Sequence, residues 1–161
     1  MHDVAQFFLT FNIFFMTRID FFSNAPNRLD YVARLLNKVH TAQQTAVVYG
    51  DPRILNALSD ALWHNPAFLA HDVQPNVSLS HSAPIVLISE AMLDFPHHNV
   101  LINLSDDTPS FFASFNRLIE VVPNEDAPKQ AARDRWGFYK ARGYVLTHHD
   151  IAAKKAAHHS S

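Results

Sequence analysis

Apolar positions along this chain fall into short blocks that switch between two periods. Residues 18–22, with Ile19, Phe21 and Phe22, form a strand-like run. It stops at Ser23, Asn24, Ala25 and Pro26, a cluster of turn formers. Leu29, Val32, Ala33, Leu35, Leu36 and Val39 then recur at helical spacing, to about residue 43. Residues 45–49 carry Ala46, Val47 and Val48 and read as a short buried strand. Gly50 and Asp51 turn the chain into a second helix, with Asp51 a candidate N-cap and Pro52 at the first helical position. Ile54, Leu55, Leu58 and Leu62 form its stripe, which ends before Pro66.

A loop containing Pro75 and Pro84 leads to two further buried runs, at 84–88 and 99–104. Asp106, Asp107, Thr108 and Pro109 look like a cap before a short helix carrying Phe111, Phe112 and Phe115. Residues 117–122 alternate as a strand does. A last helix spans about 125–142, and Gly143 stands where a C-cap would. Strands alternating with helices predict an α/β domain with a largely parallel central sheet. No internal repeat or second-domain boundary interrupts it.

The ends differ from this body. Residues 7–15 are strongly apolar, yet too few to cross a bilayer, which takes ~20 residues. His2 and Asp3 stand where a signal peptide would carry basic residues. Residues 1–15 are read as an upstream extension from a mis-called start codon, the alternative being an amphipathic or partner-docking segment. Residues 148–161 are read as a polar, solvated tail.

Composition narrows the chemistry. A length of 161 residues, 48% hydrophobic and 17% charged, fits one ordinary globular domain. Cysteine is absent, which excludes disulfides and thiolate metal sites and suits the cytoplasm. The formal net charge of −2 gives no general attraction to nucleic acid, so any basic surface must be local. There are three glycines, Gly50, Gly137 and Gly143, too dispersed for a loop that cradles phosphates. No nucleotide or other cofactor is therefore expected. The 11 histidines contain no His-Glu-x-x-His pattern. They are read as exposed loop and tail residues, with no metal expected. Ser89 and Ser105 lack the flanking glycines of a nucleophile elbow, and Glu125 with Asp126 suits a helix N-terminus. No catalytic residue is assigned.

The helix after Pro123 stands apart. Lys129, Arg133, Arg135, Lys140 and Arg142 lie within fourteen residues, against Asp134 alone. Positions 129, 133, 136 and 140 share one helical face, which presents cation, cation, tryptophan, cation. Phe138, Tyr139 and Tyr144 add aromatic area. Such a face suits an acidic, aromatic-containing peptide. It also suits single-stranded nucleic acid, and a plain solvated face with Trp136 partly in the core remains open. Trp63 and Phe68 form a second aromatic feature, either a corner of the core or an exposed partner anchor.

Together these residues resemble the chi subunit family of bacterial DNA polymerase III. The resemblance rests on the strand after Met16 and on Asp60, Ala61, Leu62 and Trp63 followed by Pro66, Phe68 and His71. Its most specific part is residues 121–126 leading into 129–135, then Tyr139, Gly143 and Tyr144. It covers about residues 16–147. It implies a single three-layer, Rossmann-like domain without a nucleotide site, and a non-catalytic accessory subunit. It further implies binding to the acidic, phenylalanine-ending tail of single-stranded DNA-binding protein, and linkage to the clamp-loader complex through the psi subunit. Contact with DNA would be indirect, and no membrane is involved. By motif match, Lys129 and Arg133 would hold the tail's carboxylates, while Val122 and Trp136 would border its apolar pocket. Trp63 and Phe68 match aromatics on the psi-facing surface. Trp136 stands where a tyrosine is familiar, which removes a hydroxyl and enlarges the stacking area. Two residues are missing between Trp63 and Phe68 relative to the familiar form. The competing reading is direct single-stranded nucleic-acid binding by the same helix, against which the narrow basic footprint weighs.

Overall fold

The computed structural model describes residues 16–64 and 68–153. The readings of residues 1–15, of the Pro66 break and of residues 154–161 lie outside the described residues. In chain order the elements are β1 (Arg18–Ser23), α1 (Arg28–Thr41), β2 (Ala46–Tyr49), α2 (Pro52–His64), β3 (His71–Val73), β4 (Ile85–Ile88) and β5 (Val100–Asn103). A 3-10 turn (Phe112–Ser114), β6 (Arg117–Val121), α3 (Asp126–Ala141) and β7 (Leu146–Asp150) follow.

The seven strands form one sheet in the order β3-β4-β2-β5-β6-β1-β7. Every pairing in it is parallel. Central strands covered on both sides read as unbroken apolar runs, and all four residues of β4 and of β5 are buried. Alternation along β1 sends Phe22 to one face and Phe21 to the other. On the first face, Val32, Leu36 and Val39 of α1 and Leu55, Leu58 and Leu62 of α2 pack over Phe22, Val48, Leu87 and Ile102. On the second, Ala132 and Tyr139 of α3 join Phe112 and Phe115 over Ile19, Phe21, Val47 and Leu118. The expected three-layer α/β arrangement is present, with a sheet that is wholly parallel.

This winding decides where a site can form. The helix after β1 lies on one face and the helix after β6 on the other, although β1 and β6 are neighbours. Chains leaving adjacent strands in opposite directions open a crevice at the strands' carboxyl ends.

Two elements escape the sequence pattern. β3 and β7 are polar edge strands, and β7 extends three residues into the segment read as a tail. It pairs Phe21 with His148, Phe22 with His149 and Ser23 with Asp150. The helix expected around Phe111 and Phe115 shrinks to one 3-10 turn, because only a few residues separate Pro109 from β6. α3 starts and stops within a residue of the expected span. Pro128 occupies its first turn, where an N–H would have no helical partner anyway. Gly143 takes φ +83° just past the helix end and donates its N–H to Lys140 O at 3.0 Å. Among the described residues no helix is long and apolar enough to cross a membrane.

Candidate functional site

Val122 follows β6 directly, and its N–H donates to Phe22 O at 2.9 Å, which ties the entry to α3 onto the end of β1. The first turns of α3 then pass over that strand end. Lys129, Arg133 and Trp136 from α3, Val122, Phe21, Ser23 and Asn24 from the β1 and β6 ends, Ala132 and His148 together line one groove of about 440 Å³. The four residues assigned to the tail site from sequence are thus brought together.

The groove has an apolar floor and an uneven charge. Phe21, Val122 and Ala132 are buried. Trp136 is half-buried and meets Phe21 edge to face, with centroids 5.1 Å apart. It therefore serves the core and the groove at once. Arg133 is exposed and Lys129 half-buried, and among the described residues neither has an ion-pair partner. Uncommitted cations above apolar area can take a carboxylate and an aromatic side chain together.

The basic cluster is smaller than the sequence suggested. Lys140 is exposed but does not line the groove. Arg142 lays its guanidinium 3.4 Å above the Phe138 ring and donates Nη1 to Phe138 O at 3.2 Å. Arg135 is not a surface cation at all: it is 6% exposed and paired with Glu120, which is fully buried.

That pair anchors a network the sequence reading missed. Arg135 Nη2 lies 3.0 Å and Nε 3.1 Å from Glu120 Oε2, and Nη1 donates to Asp106 O at 2.7 Å. Tyr139 OH donates to Glu120 Oε1 at 2.9 Å. Asn103 Nδ2 reaches both carboxylate oxygens, at 3.0 and 3.1 Å. Burial pushes the Glu120 carboxyl up, opposed by the Arg135 charge and by these donors. Burial first, and the Glu120 carboxylate next, push the Tyr139 phenol far up, so it stays protonated and donates. The signal was present as a Glu flanked by Ile119 and Val121 in the apolar part of its strand, since a buried charge requires a partner.

Three histidines also depart from the exposed reading. His97 is half-buried, with Nε2 2.6 Å from Ala83 O. His71 is buried, with Nδ1 2.9 Å from Leu69 O and Nε2 2.7 Å from Ser59 Oγ. His149 is half-buried, stacks on Phe22 at 4.4 Å and bonds Asp20 Oδ1 at 2.9 Å. Among the described residues no group of three or more His, Cys, Asp or Glu side chains could hold a metal ion.

The second aromatic feature is on the surface. Trp63 is 41% and Phe68 64% exposed, with ring centroids 5.1 Å apart. Trp63 rests on the buried His71 ring at 4.4 Å. Phe68 holds φ +47°, a left-handed conformation unusual for a bulky residue. Of the two sequence readings, an exposed pair is what forms.

Comparison with known proteins gives a consistent answer. The profile of the family described as DNA polymerase III chi subunit, HolC, matches residues 16–147. The chain is 32% identical over 144 residues to "DNA polymerase III subunit chi" of Pseudomonas aeruginosa, covering 84% of this chain and 98% of that one. It is 26% identical over 108 residues to the protein of the same name from Escherichia coli, covering 66% and 73% of the two chains. A like-named protein of Haemophilus influenzae is 26% identical over 96 residues, 58% of this chain and 66% of that one.

Proposed function

This chain belongs to the DNA polymerase III chi subunit family, and from that premise we propose that it binds the acidic C-terminal tail of single-stranded DNA-binding protein and joins it to the clamp loader through the psi subunit. The family makes it an accessory subunit of a DNA-replicating polymerase. One observation carries the tail reading: Lys129 and Arg133 stand uncommitted over a floor of Phe21, Val122, Ala132 and Trp136. An acidic peptide that ends in phenylalanine offers carboxylates to the first pair and a ring to the second. Arg133 can fork two N–H groups onto one carboxylate, whereas Lys129 acts as a point charge. The larger Trp136 ring offers more stacking area than a tyrosine.

The psi reading is supported by the exposed Trp63 and Phe68 pair, because paired aromatics are frequent anchors of protein interfaces. A two-armed capture assay tests the tail reading. Immobilised chain should retain full-length single-stranded DNA-binding protein and should not retain the same protein without its tail. Equal retention of both would overturn the tail reading, and tight binding of bare single-stranded DNA by the purified chain would replace it with direct nucleic-acid binding.

A further inference from the structure

Every cation assigned to the groove stands on α3, yet the groove has a second wall. That wall is made by Ser23 and Asn24 at the end of β1 and by His148 on the edge strand β7. His148 is not a loosely placed surface ring. Its Nε2 lies 2.7 Å from Ser23 Oγ, and its plane stands at 84° to Trp136, with centroids 6.4 Å apart. Among the described residues Nδ1 has no hydrogen-bond partner, and in the tautomer whose Nε2 accepts from the Ser23 hydroxyl it carries the proton and can donate. The nearby carboxylate on β7, Asp150, makes its hydrogen bonds elsewhere, although its charge also acts on His148. It accepts from the Ala153 N–H at 3.2 Å, and a hydrogen bond from Asn24 holds its carboxyl below the usual range.

We propose that His148, positioned by Ser23, is a further specificity-determining residue of the groove and takes the terminal α-carboxylate of the bound tail. The inference rests on the tail reading above. The geometry behind it is simple. If the terminal aromatic ring occupies the floor of Phe21, Val122 and Trp136, its α-carboxylate is two bonds from that ring's methylene carbon. It would then sit at the rim of the same pocket, which His148 and Trp136 both line. Carboxylates of preceding acidic residues lie farther along the peptide and fall to the longer Lys129 and Arg133 side chains. The charged groups facing His148 are then Lys129 and Arg133 from α3 and Asp150 from its own strand. Two walls gripping different carboxylates would distinguish a chain end from an internal acidic stretch, which a one-walled basic face cannot do.

A double-mutant cycle between protein and peptide tests this. The full chain is titrated calorimetrically with one acidic, phenylalanine-ending peptide in two forms, free acid and C-terminal amide. Wild type is compared with His148→Ala, Ser23→Ala and Arg133→Ala, each checked by thermal melting. His148→Ala should weaken the free acid about fivefold and the amide less than about twofold, the scale of one partly exposed charge-assisted hydrogen bond. Ser23→Ala should give the same pattern at about half that size. Losses equal for the two peptides, or no loss, overturn the role of His148, and a large loss in Arg133→Ala would then leave the tail reading standing. An unchanged Arg133→Ala titration sinks the tail reading itself and the inference with it.

Discussion

Arg135 and Glu120 meet at 3.0 Å inside the protein, on the side of α3 turned away from Arg133. Two residues along a helix is a rotation of about 200°, so seating Arg135 in the core places Arg133 outward. The buried pair therefore sets the rotation of α3, and with it the direction in which Lys129, Arg133 and Trp136 face.

Removing one partner of this pair strands the other charge. Arg135→Ala or Glu120→Ala should each destabilise the fold by about 3–5 kcal/mol. The double change Glu120→Leu with Arg135→Met should cost clearly less than the sum, although Tyr139 and Asn103 then lose an acceptor. Urea denaturation midpoints of the three variants measure this. Additive costs would mean that the two residues act separately.

The exposed aromatic pair should behave in the opposite way, mattering to a partner and little to the fold. Trp63→Ala should cost about 1 kcal/mol or less in stability, as surface changes do. In Phe68→Gly, relief of the left-handed backbone offsets the lost ring contact and the added chain entropy, and stability should stay within about 1 kcal/mol of wild type. Both should weaken psi binding by about tenfold or more, the mark of an interface anchor. Co-elution of psi with either variant at wild-type affinity would remove this surface from the account.

Acid should act through Asp20. Burial raises its carboxyl, but hydrogen bonds from His149 and Arg117 and their charges outweigh this, so it lies below its ordinary value of 3.8. A carboxyl depressed in the folded state contributes stability above its unfolded value and loses it as pH falls through the folded one. The melting temperature should therefore drop as pH is lowered below about 5. Asp20→Asn should flatten that acid limb and lower stability at neutral pH. An unchanged limb in Asp20→Asn would assign acid sensitivity to other groups.

The legible part of this protein was its apolar periodicity. β2, β4 and β5 are buried on both faces and announce themselves as runs, β6 announces itself by alternation, and Val32, Leu36 and Val39 announce α1 by spacing. β3 and β7 were illegible because an edge strand has one neighbour and needs little apolar sequence. His148 and His149 look like a tail until their pairing with Phe21 and Phe22 is known. The groove residues Lys129, Arg133 and Trp136 were legible as a helical stripe joined to a family motif. Arg135 was misread for the same reason: charge along a helix says nothing about which residue meets a buried Glu fifteen positions earlier. The wall formed by Ser23 and His148 joins residues 125 apart, and no local pattern links them.

The central claim is that Arg133 and the apolar floor act together on one acidic, phenylalanine-ending peptide. Calorimetric titration of wild type and Arg133→Ala with the tail peptide of single-stranded DNA-binding protein, and with the same peptide lacking its final phenylalanine, measures this most directly. The account predicts salt-sensitive binding to wild type that falls at least about tenfold on either change, the scale of a buried anchor or a forked ion pair. Wild-type affinity in Arg133→Ala, or indifference to the terminal phenylalanine, would contradict it.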